Sequence, residues 1–418
     1  MGGLSRRDLM GSLAGIVAFR DDTLRILASL TRESEPDPED EAYWSALRSA
    51  FYVHPTLTVF NHVGINPPPI AVEEAMVRES RRAASDPSYV IWRQQDHELQ
   101  PIRDDLAEIV GCKNTEIALV PNATYGLHTV ISGVPMTAGD DIVLPSEEYP
   151  RSFTAAEQRA RREKTVVRMA DFEGKVLSDD EVVKRVLGQV TPKTKLVVLS
   201  EVTYLLGRRL PITAIEAELA KRGVPVLLDG SQSIGLVEKH APSSMFAACL
   251  HKWMMGPVGT GILVIKEPWI PLVWPLHPAT EDLGGNMDKF RQVGTHPTAP
   301  FLALRESIDL HHRIGWKAKA GRLQYLRKKI AAGVDGSKKI QIVNSLDPAV
   351  CMPFLTLRIE GTDSADLAGR LMRDHKIHVT TAVRAGVDGI RISPNLFTSL
   401  GEIDRLTMAL KTLAESSI

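Results

Sequence analysis

Short runs of Val, Ile and Leu recur along the chain, separated by stretches in which apolar residues fall three and four positions apart. The first pattern belongs to strands buried on both faces, the second to amphipathic helices. From about residue 95 the two alternate. The run at 117–121 precedes a helical pattern near 124–133, and the run at 141–145 precedes one that begins near Arg151. The run at 195–200 leads through a loop to a helix over 213–223, and further buried strands are expected at 224–229 and 259–265. This alternation predicts an α/β fold with a mostly parallel sheet covered on both faces. After about residue 305 the pattern changes. Segments at 353–361, 376–382 and 389–393 read as strands, with helices around 364–375 and from Leu400, and predict a smaller α+β unit. The expected division is 44–305 for an N-terminal segment plus large domain and 306–418 for a small C-terminal domain.

Composition changes this picture little. The 418 residues carry 50 Lys and Arg against 51 Asp and Glu, with 44% apolar and 24% charged. Such a balance excludes a disordered or collagen-like chain and gives no electrostatic case for nucleic acid as the main partner. Cys112, Cys249 and Cys351 are too few and scattered for a disulfide framework or zinc cluster. No apolar run is long enough for a membrane span. The N-terminus has its own signal. Ser5-Arg6-Arg7-Asp8-Leu9 followed by an uncharged, mostly apolar stretch has the layout of a twin-arginine export signal over residues 1–30, and residues 31–43 read as an acidic linker. That layout predicts a periplasmic or exported protein; the alternative is a cytoplasmic protein with an incidental Arg pair.

Phosphate-loop, dinucleotide, zincin and hydrolase signatures are all missing. Gly256-Pro-Val-Gly-Thr-Gly261 fits neither nucleotide-binding spacing and is expected to pack a loop entering the next strand. His311-His312 reads as solvated helix surface. The chemistry lies elsewhere. Residues just past strand ends in an open α/β sheet are where ligands bind, and there the chain places Asp229, in LLDGSQSIG, and Lys252, in LHKWMMGPVGTG. Pyridoxal phosphate needs such a pair: a lysine to hold its aldehyde and a carboxylate for its pyridine nitrogen.

Asp229-Gly-Ser-Gln232 and His251-Lys252-Trp253 resemble the class V aminotransferase family of pyridoxal-phosphate enzymes, in the branch of isopenicillin N epimerase-like and C–S lyase-like proteins. The resemblance runs from about Asn61 to the C-terminal helix and implies fold type I, the cofactor pyridoxal 5'-phosphate and a homodimer. It gives Lys252 the Schiff base and the shuttling of the Cα proton, Asp229 the pyridine nitrogen, and Gln232 the ring hydroxyl. Ala123-Thr124 matches the phosphate-binding turn at a strand-to-helix junction, His251 the phosphate side, and Tyr149, in Glu148-Tyr149-Pro150, the aromatic stacked on the ring. Gly294-Thr295 matches the segment by which a second subunit completes the phosphate site. Arg391 matches the arginine that grips a substrate α-carboxylate, and Asn61 the segment lining the same pocket.

Three departures from the family pattern stand out. The desulfurases of this family carry a catalytic cysteine just before the arginine strand, and the stretch TTAVRAGVDGIRIS holds none. After the 195–200 strand, Glu201 and Tyr204 replace the usual residues and imply an altered pocket. Cys249 stands where relatives place a phosphate-contacting Ser. The implied activity is chemistry at the α-carbon of an amino acid or peptidyl amino acid in secondary metabolism, compatible with periplasmic siderophore modification. Epimerisation, elimination, transamination and decarboxylation stay open, as does a cytoplasmic aminotransferase or C–S lyase. A non-catalytic binding protein of the same fold would be expected to lose Lys252 or Asp229.

Overall fold

The computed structural model describes residues 35–416; the twin-arginine segment lies outside them. After helix α1 (Glu41–Arg48) and the short strand β1 (Thr58–Val59), the chain forms α2 (Ile70–Ser85), α3 (Pro87–Val90), a π-helical turn at Ile91–Gln95 and α4 (Asp96–Val110). Strands then alternate with helices: β2 (Ile117–Val120), α5 (Ala123–Gly133), β3 (Asp141–Pro145), α6 (Pro150–Glu163), β4 (Val166–Ala170), α7 (Asp179–Leu187), β5 (Thr194–Ser200), α8 (Ile212–Ala220), β6 (Val226–Asp229), β7 (Met245–Cys249) and β8 (Gly261–Ile265). These strands make one seven-stranded sheet in the order β2-β8-β7-β6-β5-β3-β4, parallel except for β8, which is antiparallel to both its neighbours.

The sheet explains the unbroken apolar runs. Along β5, Val197 and Leu199 pack against α4, α7 and α8, while Leu196 and Val198 pack against α5 and α6 on the other face. Both faces are covered, so no position in the strand can be polar without a buried partner.

The C-terminal unit follows α9 (Ala299–Leu302) and α10 (Leu304–Ile314) with α11 (Trp316–Val334), β9 (Ile340–Ile342), β10 (Leu355–Ile359), α12 (Ser364–His375), β11 (Ile377–His378), β12 (Thr380–Thr381), β13 (Ile390–Ile392) and α13 (Leu400–Ser416). Its antiparallel sheet runs β12-β13-β10-β9, and Leu326, Ile330, Leu371, Leu406 and Leu410 cover it. The strand expected at 376–382 is split: β11 pairs in parallel with β1, and β12 joins β13. The N-terminal segment therefore docks on the small unit, where Arg48 also pairs with Glu402 at 2.8 Å.

Two sequence expectations need correcting. The described part of the acidic segment is packed against α11 and is not a free linker: Arg322 donates to the Pro38 carbonyl at 3.0 Å and to the Glu41 carboxylate, and Trp44 one turn on is fully buried. His311 is not solvated surface. It is buried, with Nδ1 3.1 Å from the Lys319 amine on the next helix.

Candidate active site

Parallel register brings the strand ends level. Ser200 at the end of β5 is opposite Asp229 at the end of β6, which is opposite Ala247 in β7. Lys252 follows β7 by three residues, so it hangs over the same edge. α5 opens directly after β2, and Tyr149 precedes α6 after β3. From the small unit, β13 brings Arg391, and the segment after β1 brings Asn61. Together they enclose a cavity of about 710 Å³. Asn61, Ala123, Thr124, Tyr149, Asp229, Gln232, His251, Lys252 and Arg391 all line it. Thr295 does not; it is exposed, away from this wall.

Local chemistry explains the phosphate-type turn. Asn122 caps α5, its Oδ1 accepting from the Tyr125 amide at 2.9 Å. The cap is Asn122 and not Thr124, so the Thr124 hydroxyl stays on the cavity wall beside a helix N-terminus whose dipole favours an anion. Gly261, which closes the glycine-rich loop, is needed here: a Cβ would come within 2.7 Å of the Asn122 Cα. The Ala123 amide donates to Cys249 Sγ at 3.3 Å.

Burial dominates the electrostatics. It pushes the Asp229 carboxyl up, against the pull of the Lys252 cation and a 2.8 Å bond from the Ser231 amide. It pushes the Lys252 amine down, against Cys249 and Asp229. A lowered lysine keeps more of its neutral, nucleophilic form. Glu148, behind Tyr149, is pushed up to about 7 by burial and by Asp229, although the Ser200 amide donates to it at 2.7 Å. Arg391 is pushed down to about 10 by burial. Its Nη1 donates to the Tyr204 carbonyl at 2.6 Å, while its Nε is buried without a partner.

Two residues that the sequence did not single out hold the lysine loop. Asn66 Nδ2 donates to the Lys252 carbonyl at 2.9 Å, and Lys319 Nζ donates to the Trp253 carbonyl at 3.0 Å. Asn66 sits in the FNHVGINPPP segment, but nothing in the sequence says that its amide reaches residue 252. Of the two unusual loop residues, Tyr204 lines the cavity and Glu201 does not. Glu201 donates its amide to the Asp229 carbonyl at 3.0 Å and turns its carboxylate the other way, to the Ser233 hydroxyl and to His240 Nδ1 at 2.5 Å. The pocket is thus altered at Tyr204, while Glu201 braces the strand end from behind.

The aminotransferase class-V family model matches residues 68–406. The chain belongs to that family. As a class V aminotransferase-family protein it is 28% identical over 396 residues to isopenicillin N epimerase of Amycolatopsis lactamdurans, covering 89% of this chain and 99% of that one. It is 26% identical to a probable cysteine desulfurase of Methanothermobacter thermautotrophicus, over 72% of this chain and 78% of the relative. Among solved structures, the cystine C–S lyase C-DES in complex with cysteine persulfide superposes with a TM-score of 0.76 at 22% identity, covering 85% and 98% of the two chains. The match shows the fold type I architecture.

The family's enzymes depend on pyridoxal phosphate, and the residues present fit that group. Gln232 Oε1, His251 Nδ1 and Asn61 Oδ1 are buried at this cavity without hydrogen-bond partners. A polar atom in that state is costly unless a ligand satisfies it. Lys252 would supply the amine, Asp229 the anion for a pyridine nitrogen, and the first turn of α5 the phosphate donors. Tyr149 presents an exposed ring to the cavity.

Proposed function

We propose that this enzyme inverts or otherwise remodels the α-carbon of an amino acid, free or at the end of a peptide. The observation that carries the reading is Arg391. It is a mostly buried guanidinium at the cavity that also holds Lys252, and no described carboxylate lies within 4.0 Å of it. Nε and Nη2 remain for a bidentate grip on a substrate carboxylate. Such a grip sets the α-carbon toward Lys252, whose depressed basicity suits it to take and return a proton there. Bound pyridoxal phosphate supplies the electron sink that makes the α-hydrogen acidic. Asp229 would hold the charge on its ring nitrogen, and Tyr149 and Gln232 would help to hold the group in the cavity. Cysteine desulfuration fits poorly, because the loop at 382–389 has no thiol and Cys249 is engaged by the Ala123 amide at the phosphate end. Epimerase chemistry is the outcome we favour, given the full-length likeness to isopenicillin N epimerase.

The test is exchange of the α-hydrogen in deuterated water, followed by NMR, with free amino acids and with glutamyl-peptides. Exchange with inversion is expected, abolished in Lys252→Ala and slowed at least about 100-fold in Asp229→Asn. Amino transfer without inversion would move the assignment to transamination, and failure to take up pyridoxal phosphate would end it.

We also propose export and periplasmic action, supported by the Ser5-Arg6-Arg7 segment. Fractionation of cells making the chain with and without residues 1–30 tests it; an unchanged distribution would sink it.

A further inference from the structure

The segment between β1 and α2 is a ribbon with two hydrogen-bonded edges. One edge joins the tail of β13. Ser393 donates its amide to the Phe60 carbonyl at 2.7 Å, its carbonyl accepts from the His62 amide at 3.3 Å, and its hydroxyl accepts from the Val63 amide at 2.9 Å. The other edge faces the loops of Gln232 and Lys252. Gln232 Nε2 donates to the Val63 carbonyl at 3.3 Å, and the Asn66 amide donates to the His251 carbonyl at 3.0 Å. The ribbon thus lies between the strand that carries Arg391 and the loop that carries Lys252.

Across it runs a line of side-chain amides whose orientation is forced from one end. Asn395 and Asn66 are both fully buried. The Leu396 amide donates to Asn395 Oδ1 at 2.6 Å, so the nitrogen of Asn395 is the end that faces the ribbon. That nitrogen donates to Asn66 Oδ1 at 2.8 Å and approaches His62 Nδ1 at 3.4 Å. The Asn66 nitrogen is then left for the Lys252 carbonyl, at 2.9 Å. A side-chain amide has one accepting and one donating end, so flipping either residue breaks the line. The Lys252 carbonyl already accepts from the Met255 amide of its own loop at 3.0 Å. Asn66 is therefore not needed to satisfy that oxygen. What it adds is a fixed place for the Lys252 main chain against the tail of β13.

We propose that Asn395 and Asn66 act as one positioning relay, holding Lys252 in register with the strand that carries Arg391. This rests on the roles proposed for Lys252 and Arg391 and names what sets one against the other. A lysine held in this way competes for the cofactor at a high effective concentration, because its placement is settled in advance.

The experiment uses the enzyme loaded with pyridoxal phosphate and measures how readily another amine takes the place of Lys252. Methylamine is the probe, since it has no carboxylate for Arg391. Borohydride stops the exchange, and peptide mass mapping gives the fraction of chains with cofactor fixed on Lys252. Each curve is normalised to the label fixed without methylamine, so unfolded chains do not move its midpoint. The midpoint should fall about five- to tenfold in Asn66→Ala and in Asn395→Ala alike. In the double variant it should fall no further than in either one, because the two residues work as a unit. Asn395→Ser, a milder change on the β13 side, serves if an alanine variant fails to fold. Unchanged midpoints, a shift in Asn66→Ala without one in Asn395→Ala, or shifts that add in the double variant overturn the relay and leave the α-carbon chemistry intact. Absence of cofactor on Lys252 of the wild type would overturn the proposed function and the relay with it.

Discussion

At the scale of single residues, the site was legible where one side chain carries one task. Lys252, Asp229, Gln232 and Arg391 each lie just past or within a strand whose apolar run is plain in the sequence, and their chemistry is specific enough to name a cofactor. What stayed hidden were residues that act through the main chain of others. Asn66 reaches the carbonyl of residue 252 and the Tyr204 carbonyl accepts from Arg391, and such contacts have no sequence spacing. Cys249 lies between these cases. Its thiol accepts from the Ala123 amide at 3.3 Å, and burial pushes its ionisation up, so at neutral pH it is a weak, uncharged neighbour of the phosphate turn. A hydroxyl in its place keeps that acceptor and adds a proper donor. Cys249→Ser should therefore bind pyridoxal phosphate about three- to tenfold more tightly, the size of one ordinary hydrogen bond. Equilibrium dialysis measures it, and unchanged or weaker binding would show that this position does not reach the phosphate.

At the scale of elements, five strands buried on both faces were read correctly because both faces demand the same residues, while β7, whose run MFAAC holds no Val, Ile or Leu, was not read as a strand. The 376–382 segment was not read correctly, because its alternation is continuous while its hydrogen-bonding partner changes between His378 and Thr380. The α10–α11 pair held another surprise. Lys319 on α11 is 1% exposed, donates to the Trp253 carbonyl and has only the neutral His311 ring beside its amine. Burial pushes the lysine down to about 7 and the histidine down to about 2. Between pH 7 and its ordinary 10.5, the unfolded chain holds a proton on Lys319 that the folded one has released. Stability must then rise with pH across that window, by up to about 1.4 kcal/mol per unit from this group. Lys319→Met removes that slope. It also leaves the Trp253 carbonyl unsatisfied, but that cost does not vary with pH. Denaturant midpoints from pH 7 to 10 should climb in the wild type relative to the variant; parallel curves would mean that Lys319 stays charged in the fold.

At the scale of the whole molecule, one predicted residue is out of place in a single chain. Thr295 is exposed, off the wall that gathers its companions. At the mouth of the same cavity Ile65 is 55% exposed. A second molecule can cover that side chain and complete the wall. If that molecule is a second copy, the mass in solution is twice 46.0 kDa and Thr295 of each chain serves the other's phosphate turn. Mixed dimers decide the question. A chain carrying Thr295→Asp places a negative charge against the phosphate, and a chain carrying Lys252→Ala cannot hold the cofactor covalently. When differently tagged chains are co-purified, the Thr295→Asp chain keeps its own Lys252 and gains an intact Thr295 from its neighbour. Borohydride should then fix cofactor on that chain in the mixed dimer and little in either parent dimer, a gain that a Thr295 acting within its own chain could not produce. Equal labelling of the Thr295→Asp chain in mixed and parent dimers would remove Thr295 from the site of the second subunit.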